Sequence, residues 1–493
     1  MIDRLRRAIG ARPALLGVVG AVLLLAGSAW YQALVTPPYR FIDEQAHVGY
    51  VLAIQQGQLP TIDTPIDAGR GGPALQRRLM WQPERRRDVW VANNPPLTYL
   101  VAAGPAALTN ALDLPGGPLL GLRLTNVVAA CAAVALAYLL ARDLAGGDRT
   151  VGLVGAGIVA AAPHVGFVVS LGFNDGTSLL ATTAVTLALA RVAGAGGNID
   201  GRPIDGVRAA RLLGLCAAAA TLCRPMAAVF AGAAVALGFA VTWWRRQARL
   251  LPAAAWLGGP TLLLGAWWYL LNVHRYGDPT GSQRLFEKFG RQPSGTIFDS
   301  LANRGVWESA LRTITTRRLE LPLASDPMLA YQVALAVTVV GIAGATILVV
   351  RGAVADRGGA RSPGSLPTLA WATCAVLALV PVVLTAQHRA GGGAVHPRYL
   401  FPVLPIAAAA VAVATVRLAT RWAGAALVLV IAGTSWVQTR RSAAWLSQNP
   451  IPPRDTGLSA AIGGVLVRSA GLAVAIVGLA ALVAAIVVTP RER

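Results

Sequence analysis

A chain of 493 residues that is 55% hydrophobic and 13% charged is not a soluble globular protein, since those carry about 25% charged residues. The formal net charge of +21 comes almost entirely from arginine, with Lys288 the single lysine. These arginines stand between long apolar runs, so they point to lipid phosphates and head groups as partners and not to nucleic acid.

Uncharged runs such as Pro13–Val35, Val151–Ser170 and Gly471–Val488 each have about the length that crosses a bilayer as a helix. Only helices and closed barrels satisfy their backbone in lipid, and these runs show no period-two alternation of a barrel strand. The expectation is an all-α polytopic membrane protein of about twelve transmembrane helices, forming one domain over residues 1–493 with no soluble domain and no internal repeat. Cys131, Cys216, Cys223 and Cys374 all lie in apolar runs and read as small packing residues.

In chain order, Arg4, Arg6, Arg7 and Arg12 precede the run 13–35, which ends in Trp30 and Tyr31 near an interface. This predicts an uncleaved first span with its N-terminus inside the cell. A long loop, 36–119, follows. Its apolar stretch 95–112 opens with Asn93-Asn94-Pro95-Pro96 and reads as an interfacial helix. Spans are then expected near 120–141, 151–170, 176–193, 210–223, 226–244 and 250–273. The segment 210–223 is short and is interrupted at Arg224-Pro225, because proline breaks the helix ladder. A second long loop, 274–327, leads to spans near 328–350, 366–386, 399–416, 422–438 and 469–489.

This count puts both termini on one side. The connections assigned inside carry Arg142 and Arg149; Arg191, Arg202, Arg208 and Arg211; Arg245, Arg246 and Arg249; Arg351, Arg357 and Arg361; and Arg417 and Arg421, with Arg491 and Arg493 in the tail. That is the pattern of the positive-inside rule. It places the loops 36–119 and 274–327 outside, where loops of such length are usually functional.

Three segments at the outer face carry candidate chemistry. In Asp43-Glu44-Gln45-Ala46-His47, Asp43 and His47 fall on one helical face and Glu44 lies three residues from His47. Such a set suits a general base, or a divalent metal such as Mg, Mn or Ca held by Asp43 and His47; the ordinary alternative is a helix cap. Tyr50 follows on the same helix. In Gly172-Phe173-Asn174-Asp175-Gly176 a tight turn returns an isolated acid to the same face, though these residues also favour turns for their own sake. In His396-Pro397-Arg398-Tyr399 an arginine opens a span from outside. It could hold a phosphate there or serve as an interfacial anchor. A further segment, Trp267 to Pro279 with Arg275, ends a span in belt aromatics.

This ordered set resembles the GT-C superfamily of membrane glycosyltransferases, especially the protein O-mannosyltransferase and aminoarabinose-transferase branch. Those enzymes have an acidic motif outside the first span, matched by Asp43-Glu44. A Pro-Pro-aromatic segment follows, matched by Pro95-Pro96 and Tyr99, and then a second acidic site, matched by Asn174-Asp175. Related bacterial families carry segments like residues 268–279 and 398–402. Two departures are that some relatives have a soluble C-terminal domain and that Asn94 stands where a histidine is usual.

The resemblance implies a GT-C-like fold with extracytoplasmic interfacial helices in the long loops, in the plasma membrane. It implies inverting transfer of a sugar from a polyprenyl-phosphate donor to a glycan, lipid or protein acceptor at an extracytoplasmic site. Asp43, Glu44 and Asp175 are then the catalytic candidates, with His47, Tyr50, Asn174, His396, Arg398, Tyr399, Arg224 and Arg275 as substrate-binding ones. The alternatives are a secondary transporter or lipid flippase, whose ionisable groups should lie near the bilayer midplane, and a non-catalytic assembly subunit.

Overall fold

The computed structural model describes residues 12–41, 43–114, 116–194, 206–245, 250–316, 328–357, 366–448 and 464–490. The arginines at 4, 6, 7, 202, 246, 249, 361, 491 and 493, and residues 317–327 of the second long loop, lie outside them. Among the described residues the chain is helical, and its one β pairing is an isolated bridge between Pro65 and Asp88.

The first span is α1 (Pro13–Val35). The first long loop folds into α2 (Glu44–Gln55), α3 (Gly72–Met80) and α4 (Leu97–Ala111), the last lying in the apolar stretch 95–112. Then come α5 (Pro118–Leu144), α6 (Arg149–Ala161), α7 (Pro163–Val169), α8 (Asp175–Val192), α9 (Gly206–Thr221) and α10 (Pro225–Trp244). Next are α11 (Leu250–Pro260) and α12 (Ala266–Tyr276), joined by a π turn at Thr261–Gly265. The second loop carries α13 (Ser282–Lys288), α14 (Ile297–Ala302) and α15 (Arg304–Thr316). The last part holds α16 (Met328–Arg357), α17 (Thr368–Ala390), a 3₁₀ turn at Pro397–Val403, α18 (Leu404–Ala414), α19 (Arg421–Gln448) and α20 (Gly464–Val488).

The protein is a multi-pass membrane protein. Among the described residues, 9 helices are long and apolar enough to cross a bilayer, or 10 if α6 and α7 count as one bent span. The twelve segments expected as spans are each helical where described. The two left over are α8 and α9. α8 carries Asp175, Arg191 and a series of threonines and is buried along most of its length, so its composition suits protein neighbours more than lipid. The 59° bend between α6 and α7 follows from Pro163. Its ring removes an N–H from the ladder and drives Ala162 to an extended ψ of 121°.

α1 and α20 pack antiparallel along a glycine seam. A Cβ on Gly20 would lie 2.7 Å from the carbonyl of Gly478, and one on Gly27 would lie 2.5 Å from that of Gly471. Small residues let backbones approach this closely in membranes. The pairing also brings the starts and ends of the bundle to the same side.

The two long loops meet at one end of the bundle. Lys288 bridges Asp63 at 2.8 Å and Asp88 at 2.6 Å, and Arg284 reaches Asp63 at 3.0 Å. Beneath these, the Trp268 indole and the Asn272 amide both donate to the carbonyl of Asn93.

Candidate active site

The short turn after α1 is held from below by Arg123, a buried arginine on α5. Its guanidinium donates to the carbonyls of Ala33 at 2.7 Å and Thr36 at 2.9 Å and to both oxygens of Glu44, at 3.0 and 3.1 Å. The backbone N–H of Gly172 also donates to Glu44, at 3.0 Å. Glu44 is fully enclosed and both its carboxylate oxygens accept hydrogen bonds, so it ties α2 to α5 and to the 172 turn. Within this turn Tyr39 has φ 56°, an uncommon conformation for a residue with a side chain.

A second clamp shapes the other acidic turn. The Asn126 amide donates to the carbonyls of Leu171 and Phe173, and its oxygen accepts from Gly176 N–H at 3.0 Å. Gly176 lies directly on the backbone of Asn126, where a Cβ has no room. The turn therefore delivers Asn174 and Asp175 to the first turn of α8.

Arg398 joins the two acids. Its Nη2 donates to Asp43 at 3.0 Å and its Nη1 to Asp175 at 3.4 Å. Arg224, in the extended residue between α9 and α10, pairs with the other oxygen of Asp175. Arg398 lies 4.7 Å from the Phe173 ring and Arg224 lies 5.2 Å from the Tyr399 ring. Thus four separate stretches of the chain bring two carboxylates and two guanidiniums to one place. Asp175 is 1% exposed and Arg398 8%, whereas Asp43 is 34% exposed, so Asp43 is the carboxylate that a substrate can reach. Its backbone carbonyl starts α2, but its side chain makes no capping bond. Arg398 keeps one buried N–H, Nε, without a hydrogen-bond partner.

His47 stands one turn after Asp43. Its Nδ1 is 2.9 Å from the Tyr99 hydroxyl, and its ring packs 5.5 Å from Phe173. Burial lowers the His47 pKa to about 4 against the pull of Asp43, so the imidazole is neutral at pH 7. His396, also lowered to about 4 by burial and by Arg398, packs edge-on against Tyr399 at 5.5 Å. For Asp43, burial alone would raise the pKa, but the nearby Arg398 and His47 outweigh it and hold the carboxyl below its ordinary value.

Tyr50 is fully buried and donates to the Asn94 carbonyl at 3.0 Å. Asn174 donates to the Asn94 side chain at 3.2 Å, which ties Asn94 into the wall of the site. Arg275 donates to the carbonyls of Pro60 and Leu59 at 3.1 and 3.2 Å and so braces the first loop. The expected metal fits poorly: no group of three His, Cys, Asp or Glu side chains that could hold an ion forms among the described residues. Asp43 is paired with a guanidinium, and His47 Nδ1 is already hydrogen-bonded with the Tyr99 hydroxyl.

The sequence matches no family model and no curated protein. The fold is similar to that of ArnT from Cupriavidus metallidurans in the apo state, with a TM-score of 0.50 at 15% identity over 93% of this chain and 74% of that one. The same protein bound to undecaprenyl phosphate gives 0.49 at 14% identity over 95% and 75%. The archaeal oligosaccharyltransferase AglB from Archaeoglobus fulgidus, in complex with an inhibitory peptide and a dolichol-phosphate, gives 0.43 at 11% identity over 86% and 55%. The chain has the fold of the GT-C membrane glycosyltransferases.

Proposed function

We propose that the protein is a membrane glycosyltransferase that moves a sugar from a polyprenyl-phosphate carrier to an acceptor at the extracytoplasmic face, with inversion at the anomeric carbon. The observation that carries this reading is Arg398, a buried guanidinium that bridges Asp43 and Asp175 and keeps a spare N–H. Such a fork suits phosphate, whose oxygens accept paired hydrogen bonds. The likeness in fold to ArnT, a protein seen with undecaprenyl phosphate bound, supports a lipid phosphate as the carrier. Placement of the acids at span ends, and not midway along a span, supports an enzyme over a transporter.

In the mechanism, the donor phosphate draws Arg398 and Arg224 toward its oxygens. The acceptor oxygen attacks the anomeric carbon while its proton passes to Asp43. The bond from that carbon to the phosphate oxygen breaks, and the lipid phosphate departs with the electron pair. That leaving group is already weakly basic, so it needs positive charge and no proton donor. As Arg398 turns to the phosphate, Asp43 loses the partner that keeps its basicity low. Asp175 holds Arg224 and Arg398 at the right depth. His47, His396 and Tyr399 line the same site, the described parts of the two long loops cover it from outside, and the plasma membrane is its location.

Donor kinetics test this reading. Arg398→Lys keeps the charge but loses the planar fork, so the donor KM should rise by roughly tenfold or more while the protein remains folded. An unchanged donor KM in the lysine variant would make Arg398 an interfacial anchor only, since both side chains reach an interface equally well.

A further inference from the structure

We infer that Tyr99 is a positioning residue that fixes His47 as an Nε2–H donor, so that Asp43 and His47 together read an acceptor hydroxyl. The inference rests on the glycosyltransfer reading for its function, but not for its geometry.

Tyr99 lies on α4 and is fully buried, and its hydroxyl has one hydrogen-bond partner among the described residues, His47 Nδ1 at 2.9 Å. Two arrangements are open to this pair. If Nδ1 carried the proton, it would donate to the phenol oxygen, and the phenolic hydrogen would be buried with no acceptor. Leaving a buried donor unmade is costly. If the phenol donates to a bare Nδ1, both groups are satisfied. A neutral imidazole has a single N–H, so it then sits on Nε2, which has no protein partner among the described residues. The bond made by one ring nitrogen sets the state of the other. Turning the ring over would set a carbon against the buried Tyr99 hydroxyl in place of Nδ1 and leave that hydroxyl unpaired, and aromatic neighbours enclose the pair. Tyr99 stacks beside it with centroids 5.8 Å apart, Phe173 packs at 5.5 Å, and Tyr50 lies 3.8 Å from Tyr99.

The consequence concerns the acceptor. Asp43 and His47 share a helical face, one an acceptor of protons and the other a donor. A hydroxyl matches that pair: its hydrogen goes to Asp43 while a lone pair takes the His47 Nε2–H. A carboxylate or phosphate oxygen brings no proton for Asp43 and meets its charge instead. The structure thus points to an alcohol as the nucleophile.

The test is nitrogen NMR on purified protein labelled at histidine nitrogen. The chain has 5 histidines, and His47 is assigned by the signals missing in His47→Gln. The wild type at pH 7 should show His47 neutral, with its proton on Nε2. Tyr99→Phe keeps the ring stacking and should shift His47 to a mixture of tautomers. The same variant should lower kcat/KM for transfer by about tenfold, the effect of one lost hydrogen bond, with donor KM unchanged. His47→Gln, which can place an amide N–H near the Nε2 position, should retain more activity than His47→Asn. An Nδ1–H tautomer in the wild type, a His47 spectrum unmoved by Tyr99→Phe, or a glutamine variant no better than asparagine would each overturn the inference. The spectra need no substrate, so a protein that transfers no sugar would sink the glycosyltransfer reading while the tautomer assignment stood or fell by itself.

Discussion

Glu44 and Asp43 are neighbours in sequence with opposite fates. Successive helical residues point about 100° apart, so Asp43 faces the site while Glu44 turns back to Arg123 and α5. Removing one partner of a buried ion pair typically costs about 3–5 kcal/mol, because the other charge is stranded. Glu44→Gln should therefore lower the thermal midpoint of the detergent-solubilised protein markedly; an unchanged midpoint would show that the pair carries little stability. Arg123 was legible in principle, since a charge inside an apolar run needs a partner. The sequence could not say which acid that partner was, because the contact joins residues far apart in the chain. The paired position of Asp43 and His47 was legible from spacing, whereas Tyr99 stood out only as the aromatic after Pro95-Pro96, and its contact with His47, like those of Asn126, is tertiary.

The titrating groups of the site make a prediction at the same scale. His47 and His396 have folded pKa values of about 4 against an ordinary 6.5. Above pH 6.5 neither affects stability. As pH falls from 6.5 toward 4, the unfolded chain takes up protons that the native one refuses, so stability declines. The lowered Asp43 works in the same sense, since the unfolded chain again takes up the proton first, but its contribution is lost only at still lower pH. Melting midpoints should drop between pH 6.5 and 4.5, while kcat/KM at temperatures below melting stays nearly flat over pH 7 to 5. A loss of kcat/KM with an apparent pKa near 6.5 would show that one of these histidines titrates in the folded protein.

At the scale of the elements, apolar length located the helices well and breaks less well. The run 151–170 reads as one span, yet Pro163 divides it into α6 and α7, so the second half ends early and feeds the turn before Asp175. Arg224-Pro225 reads as a helix break, and so it is, but the break also delivers Arg224 to Asp175. Small residues carried a further signal. Gly20 and Gly27, and Gly471 and Gly478, recur at one-heptad spacing and face each other across α1 and α20. Overpacking a close contact usually costs about 1–3 kcal/mol. Gly27→Leu should lower the melting midpoint and shift the protein toward aggregates in size-exclusion chromatography, whereas Gly433→Leu, where nothing crowds a Cβ, should not. Equal behaviour of the two variants would count against a tight seam.

For the whole molecule, composition sufficed to place the chain in a membrane, and the arginine bias supplies an expectation for its sides. The site itself depends on long-range assembly: Asp43, Asp175, Arg224 and Arg398 come from four separate stretches of sequence, and only the fold unites them. The central claim is that this cluster transfers sugar from a lipid phosphate on the outer side. Its most direct measurement is transfer of radiolabelled sugar from a polyprenyl-phosphate donor, supplied to the outer face of sealed right-side-out vesicles containing wild type or Asp43→Asn. Wild-type vesicles should form labelled product and inverted ones should not, and the asparagine variant should be slower by about 10²–10⁴-fold at equal protein. Asp43→Asn transferring at the wild-type rate, or product forming only in inverted vesicles, would contradict the account.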